Sequence, residues 1–161
     1  MGHVYRTLLL SNYLRKKYGY ESVFISRNNK STLSLLKRNN FKFYPFKFNI
    51  SKEEEKHQLK QILRIEKPDA IISDVLKNCF DSSYMSCFKW DNRKPVIAFI
   101  DAHEKTAINA DIVINTSLAQ RKDYYSKNKN TKYYLGFDYL ILPEQYINSE
   151  KRKTLNESAK K

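Results

Sequence analysis

The stretch SKEEEKHQLKQILRIEKPDAIISD (51–74) carries the signals of a helix followed directly by a buried strand. Ser51 is a favoured helix-capping residue, and three glutamates follow it, where the positive end of a helix dipole favours negative charge. Pro68 ends the helix because proline lacks the backbone N–H that a further turn needs. The segment 69–74 is then a short apolar run of the kind that parallel sheets bury.

The same alternation of helix and strand extends in both directions along the chain. Upstream, it predicts helices over 4–18 and 30–40, a buried strand over 21–27 and a strand over 41–48. Gly19 ends the first helix, and Pro45 places its strand at an edge or end. Downstream, it predicts a helix over 78–93, buried strands over 95–101 and 110–117, and a last strand with a turn at Gly136 within 132–143. This alternation predicts an α/β fold with a Rossmann-like, mostly parallel sheet flanked by helices.

The predicted domain covers 1–147, and the polar segment 148–161 is predicted to be a flexible tail. An α/β unit of this kind begins with a strand, and in the doubly wound order that strand lies in the middle of the sheet. Here the predicted elements begin with a helix, so we expect a first strand to be missing ahead of Gly2 and His3.

The charge balance is strongly basic, with 30 Lys and Arg against 17 Asp and Glu and a net charge of +13. It favours an anionic partner: nucleic acid, an acidic membrane or a phosphorylated small molecule. The lysines are spread along the chain and the aromatic residues fall on predicted buried faces, which argues against nucleic acid.

Two further features concern the compartment. No apolar run approaches the ~20 residues of a membrane span, and no apolar signal segment follows Met1, so we expect a cytoplasmic protein without a membrane span. Cys79 and Cys87 have no metal-ligand spacing and are predicted to be free buried thiols.

Three polar residues stand where predicted strands end, namely Asp74, Asp101 and Asn115. Ligands of parallel α/β sheets bind beyond the carboxyl ends of the strands. The three residues therefore predict a binding site at that edge of the sheet. The alternative for each aspartate is that it caps the helix that follows its strand.

Four ordered segments together resemble one protein family. GHVYRTLLLSNYL (2–14) is similar to the family's G-x-G-H-x-x-R pattern at its first helix, and 69–74 is similar to a family strand that ends in Asp. PVIAFIDAHEKTAINADIVINTS (95–117) resembles a stretch with two strands and Asp, Asp and Asn in this order, and LGFDYLILPEQY (135–146) resembles a G-x-x-Y-x-x-L motif. The family is that of the UDP-2,4-diacetamido-2,4,6-trideoxy-β-L-altropyranose hydrolases of pseudaminic acid biosynthesis and the similar spore-coat polysaccharide proteins.

The chain departs from the family pattern at several positions. Val75 and Leu76 follow Asp74 where the family has an aromatic residue, Ala102 stands in place of a second Asp, and Pro143 stands in place of an Arg. The family has two Rossmann-like domains in the GT-B arrangement, and the resemblance covers only the N-terminal, sugar-facing one.

The resemblance implies a reaction and a set of residues. The reaction is hydrolysis of a UDP-sugar to free sugar and UDP, without a metal ion or cofactor. By resemblance, His3 is the catalytic base that activates water, and the substrate-binding residues are Gly2, Arg6, Asp74, Asp101, Asn115 and Tyr139. The partners implied are the UDP-sugar and a separately encoded C-terminal nucleotide-binding domain.

Several alternatives stay open at the level of sequence. The chain can be a glycosyltransferase-like half-domain, or a sugar-binding remnant without catalysis. His3 can be a terminal residue without a role, Arg6 an exposed helix residue, and Asn115 and Tyr139 turn or core residues.

Overall fold

The computed structural model describes residues 2–74, 82–89, 91, 93–101, 110–116, 130–143 and 146. These residues form two compact units. One unit is Ser22–Leu140, and the other contains Gly2–Glu21 and the described residues from 141 onward.

The second unit is built on one long helix, α1 (Gly2–Tyr18). Its last turn carries Arg15, Lys16 and Lys17, where positive charge complements the helix dipole. Gly19 ends the helix as predicted, with a positive φ of 71° and an N–H that donates to the carbonyl of Arg15.

The first unit alternates strands and helices. Its strands are β1 (Val23–Arg27), β2 (Lys42–Phe46), β3 (Ala70–Ser73), β4 (Val96–Ile100), β5 (Ile112–Asn115) and β6 (Lys132–Leu135). Its helices are α2 (Lys30–Arg38), α3 (Lys52–Glu66) and α4 (Ser82–Met85), with short 3-10 helices at Ser86–Phe88 and Phe137–Tyr139.

The strands form two sheets, and every strand pair is parallel. One sheet is β1-β2 and the other is β3-β4-β5-β6. Parallel strands joined by helical crossovers define an α/β fold of Rossmann-like type, so the predicted fold class is confirmed.

Local signals explain most element boundaries. Ser51 caps α3, because its hydroxyl accepts a hydrogen bond from the backbone N–H of Glu54 (3.2 Å). Lys67 ends the helix in the left-handed conformation, just before Pro68. The long helix predicted over 78–93 is wrong in length: after α4 the chain tightens into the 3-10 turn, and Lys89 is extended. Residues 78–81 of that prediction lie outside the described part of the chain.

The core is one apolar cluster organised around α3. Leu59, Ile62 and Leu63 of this helix belong to the same buried cluster as residues of both sheets. The other members are Phe46, Met85, Cys87, Phe88, Ile97, Phe99, Ala110 and Val113. Helix α3 therefore shares a single core with the two-stranded and the four-stranded sheet.

Strand β1 differs from the buried strand that the sequence predicts. Its exposure alternates, and Val23 and Ile25 are each 37% exposed. Strand β1 ends its sheet and pairs only with β2 among the described residues, which leaves one of its edges uncovered. Strand β2 is an edge strand, as Pro45 predicts.

Replacing Leu63 with Ala tests the central position of α3. Leu63 is 4% exposed, and Leu63→Ala should lower the free energy of unfolding by about 2–5 kcal/mol because it removes buried methyl groups and leaves a cavity. The matched control on the same helix is Ile65→Ala, since Ile65 is 66% exposed and should change stability by less than ~1 kcal/mol. Urea unfolding measures both; equal effects would contradict this packing.

A second prediction concerns the polar contact between α3 and β2. Lys42 forms a salt bridge with Glu66 (2.7 Å), and the Tyr44 hydroxyl donates to the same carboxylate. The Lys42 ammonium and then the Tyr44 hydroxyl hold the pKa of Glu66 below its ordinary value. A carboxylate whose pKa is lower in the folded than in the unfolded state stabilises the fold at pH values above its unfolded-state pKa. That contribution disappears as the pH falls through the folded-state pKa.

The native chain should therefore lose stability as the pH falls below about 4.3, the ordinary pKa of glutamate. The variant Glu66→Gln should lose less over the same range, since it has no carboxylate to protonate. Urea unfolding between pH 7 and pH 3 measures the difference; identical pH profiles would show that Glu66 contributes nothing.

Candidate active site

The carboxyl ends of three neighbouring strands bring three of the predicted site residues to one edge of the larger sheet. Ser73 of β3 is in register with Phe99 of β4, and Ile100 of β4 with Ile114 of β5. The residues that follow these positions are Asp74, Asp101 and Asn115, so the predicted convergence is present in the fold.

Asp101 links the chain after β4 to the chain after β5. Its carboxylate accepts hydrogen bonds from the backbone N–H of Thr116 (3.3 Å) and from the Thr116 hydroxyl (3.4 Å), while its own N–H donates to Ile114 (2.8 Å). Its φ of 51° lies in the left-handed region, which is uncommon outside glycine but tolerated by aspartate. This constrained backbone fixes the direction in which the Asp101 side chain leaves the strand.

Asn115 and Tyr139 extend the same edge. Asn115 is fully buried, and its carbonyl accepts the N–H of Gly136 (2.9 Å) just after β6. Gly136 has a φ of 107°, which confirms the predicted turn. Tyr139 follows in the 3-10 helix, is 43% exposed, and its ring contacts that of Tyr134 at 5.2 Å between centroids.

Asp111 lies at the opposite end of the strands. Its carboxylate accepts the backbone N–H of Ile97 (2.9 Å) and lies 3.6 Å from the Lys94 ammonium. Asp111 therefore ties the amino end of β5 to β4, which is a structural role although it belongs to the same sequence pattern as Asp101.

The other predicted residues, Gly2, His3 and Arg6, lie on α1 in the other compact unit. The helix begins at Gly2, so His3 is in its first turn, where backbone N–H groups have no carbonyl partner within the helix. The first turn contains no acidic residue. Such a helix start favours an anionic group.

His3 and Arg6 form a pair within this turn. A guanidinium nitrogen of Arg6 lies 3.3 Å from Nδ1 of His3. Arginine has only N–H donors, so Nδ1 of His3 is the acceptor in this contact. In this arrangement the accepting nitrogen of His3 is already occupied.

Sequence reasoning missed one participant in this arrangement. Thr116 supplies two of the hydrogen bonds to Asp101, and its only signal in the sequence is a hydroxyl residue directly after the strand-end Asn115.

No described helix is both long and apolar enough to cross a bilayer. Cys87 is buried and forms no disulfide within the described part of the chain, whereas Cys79 lies outside that part.

Comparison with known proteins shows a similarity to an archaeal protein. The chain is 30% identical over 154 residues to the uncharacterized protein MJ1062 of Methanocaldococcus jannaschii. The match covers 94% of this chain and 30% of MJ1062, so the chain spans less than a third of the length of that relative. No model of a protein family matches the sequence, and no solved structure matches it.

The link through Asp101 leads to a stability prediction. Asp101→Ala should lower the free energy of unfolding by about 1–3 kcal/mol, because it removes an acceptor from Thr116 and places a residue in the left-handed region that alanine disfavours. Asp101→Asn should lose less, since asparagine retains a carbonyl oxygen and tolerates that conformation.

Thr116→Val is the matched control, since it removes the hydroxyl donor and keeps the backbone donor. Its loss in urea unfolding should be smaller than that of Asp101→Ala. An alanine variant as stable as the native chain would mean that Asp101 does not hold these two loops together.

Proposed function

We propose that this chain is the sugar-facing, N-terminal half-domain of a GT-B nucleotide-sugar hydrolase that converts a UDP-sugar to free sugar and UDP in the cytoplasm. The observation that carries the proposal is the convergence of Asp74, Asp101 and Asn115 at the carboxyl edge of a parallel sheet. Ligands of open α/β sheets bind at this edge. The ordered resemblance of 2–14, 69–74, 95–117 and 135–146 to the hydrolase family supplies the reaction.

The chemistry of the edge suits an acetamido sugar. Carboxylates such as those of Asp74 and Asp101 accept hydrogen bonds from sugar hydroxyls and from acetamido N–H groups, whereas Asn115, which is fully buried, supports the edge from inside. Asp101 has a side-chain direction set by its backbone, which favours an oriented contact over a mobile one. Tyr139, close to half exposed beyond β6, supplies a ring and a hydroxyl for the same ligand.

The proposed role of α1 is to bind the diphosphate and to accept a proton. The helix start and the Arg6 guanidinium both favour phosphate oxygens. When the guanidinium of Arg6 turns to the diphosphate, Nδ1 of His3 is released from its present contact. Substrate binding and activation of the base are then the same event.

The proposed hydrolysis exchanges one bond at the anomeric carbon for another. The oxygen of a water molecule forms a bond to the anomeric carbon, and the bond between that carbon and the UDP oxygen breaks. The UDP anion leaves with the bonding electron pair, and Nδ1 of His3 takes the proton of the attacking water. In the GT-B arrangement a second domain adds contacts to the nucleotide, while the diphosphate contacts proposed here come from this chain, and no metal ion or cofactor enters the step.

The second candidate is a sugar-binding module without catalysis. The present contact between Arg6 and Nδ1 of His3 favours it, since a histidine whose accepting nitrogen is occupied takes no proton. A glycosyltransferase-like half-domain uses the same edge with an acceptor hydroxyl in place of water.

Phosphorus NMR with UDP-2,4-diacetamido-2,4,6-trideoxy-β-L-altropyranose separates these candidates. The hydrolase proposal predicts release of UDP by the chain, with a loss of about 100-fold or more in His3→Ala, the scale of general base catalysis. The matched control is His57→Ala, because His57 is exposed on α3 and should leave the rate unchanged.

Binding is measured in the same samples through the phosphorus line widths. Binding without UDP release, weakened in Asp101→Asn but not in Asp69→Asn at the other end of the strands, would assign the chain to the sugar-binding module. Absence of binding in every sample would overturn both candidates.

A further inference from the structure

Three tyrosine rings cluster on the surface at the end of α1. Tyr13 lies in the helix, Tyr18 is its last residue, and Tyr20 follows shortly after. The ring centroids of Tyr13 and Tyr18 are 6.2 Å apart, and those of Tyr18 and Tyr20 are 6.3 Å apart. The three residues are 44%, 57% and 57% exposed, so they depart from the expectation that aromatic side chains lie on buried faces.

The end of the helix holds this cluster in place. The N–H of Gly19 donates to the carbonyl of Arg15 (3.0 Å), and the N–H of Tyr20 donates to the carbonyl of Leu14 (3.4 Å). Gly19 adopts the left-handed conformation that commonly ends helices, which turns the chain back across the last helical turn. Tyr20 therefore lies beside the end of α1, close to Tyr18, and does not extend away from it.

Lys17 joins the tyrosines one helical turn after Tyr13. Its ammonium donates to the Tyr13 hydroxyl (2.8 Å) and lies 5.2 Å from the centroid of the Tyr13 ring and 5.4 Å from that of Tyr18. The hydrogen bond with the Tyr13 hydroxyl raises the pKa of Lys17, so the side chain keeps its positive charge. Together, Tyr13, Lys17, Tyr18 and Tyr20 form the tyrosine patch, and all four residues are exposed.

The charge around the tyrosine patch is positive. The segment 2–20 contains no acidic residue, and the last turn of α1 carries three consecutive basic residues at 15–17. Basic residues in a last turn also offset the helix dipole, and α2 likewise ends with Lys37 and Arg38. Helix α2 contains no aromatic residue, however, so only the end of α1 combines these charges with exposed rings among the two.

The combination of rings and cations suits an anionic partner, and the arrangement of the rings favours one class. Single-stranded nucleic acids stack successive bases on open ring faces. Here neighbouring rings stand at 75° and 47° to each other, and the Lys17 ammonium lies over the rings of Tyr13 and Tyr18, which does not suit such a stack. A membrane surface requires no stacking, since tyrosine rings lie at the level of the lipid headgroups with their hydroxyls in contact with water.

We propose that the tyrosine patch binds the surface of a membrane that contains anionic phospholipids. The three rings lie among the headgroups, and the cations in the last turn of α1 face the lipid phosphates. The contact is peripheral, since α1 is not among helices long and apolar enough to cross a bilayer. The proposal does not depend on the proposed activity, because His3 and Tyr18 lie at opposite ends of α1, about 22 Å apart along its axis.

Sedimentation with extruded lipid vesicles tests the proposal on the full chain. The chain should bind vesicles of phosphatidylcholine with about 30% phosphatidylglycerol and should not bind pure phosphatidylcholine, and high salt should release it by screening. Lys17→Gln should weaken the binding about fivefold, the scale of one cation at an anionic surface. The double variant Tyr18→Ser, Tyr20→Ser should weaken it about tenfold or more, because it removes the apolar contact.

Two matched variants separate the tyrosine patch from the general basic charge of the chain. Lys37→Gln removes an exposed cation from the last turn of α2, and Phe48→Ser removes a ring that is 62% exposed outside the patch. Each should change the binding by less than about twofold, since charges beyond a Debye length from the lipids are screened. The circular dichroism spectrum of every variant should match that of the native chain, because each altered side chain is exposed.

Three results would overturn the proposal. Equal losses in Lys17→Gln and Lys37→Gln would mean that net charge alone attracts the chain to the vesicles. Equal binding to neutral and anionic vesicles would exclude recognition of the lipid phosphates. Binding to oligouridylate in the absence of vesicle binding, weakened by the tyrosine variant, would assign the patch to single-stranded nucleic acid.

Discussion

The packing of α3 against both sheets is the interaction on which the rest of the fold depends. The two-stranded sheet is too small to be stable in water alone, so it depends on packing against the rest of the unit. The buried side of α3 joins Phe46 of the small sheet and Phe99 of the large sheet in one apolar cluster. Its ends are fixed by polar contacts, with Glu55 to Arg27 at the start and Glu66 to Lys42 at the finish.

This arrangement has a consequence for the candidate site. Because β3, β4 and β5 pair in parallel, the residues that follow these strands meet at one edge. Asp101 is the most constrained of them, held by Thr116 and by its left-handed backbone. Asp111 belongs to the same sequence pattern as Asp101 but lies at the opposite edge of the sheet, where its carboxylate accepts a backbone N–H.

Local signals in the sequence predicted much of the fold because their effects are local. The Ser51 cap, the Pro45 edge and the Gly136 turn all depend on a few neighbouring atoms, and the structure confirms each of them. The edge that collects Asp74, Asp101 and Asn115 was also predictable, since strand ends meet in any parallel sheet.

Other features depend on tertiary contacts that no local pattern encodes. Val23 and Ile25 are partly exposed because β1 lies at the end of its sheet. The apolar sequence 21–27 alone does not show whether its strand is inner or outer. The contact between Arg6 and Nδ1 of His3 depends on side-chain rotamers, so the sequence suggested a base but not that its accepting nitrogen is occupied. The strand expected ahead of α1 and the domain limits at 147 and 148 stay predictions.

The most direct test of this account is a methyl NOE experiment on the native chain. If α3 joins the two sheets in one core, the methyl groups of Leu59, Ile62 and Leu63 will show NOEs to the ring of Phe46 and also to the ring of Phe99. NOEs to only one of these rings would contradict the shared core.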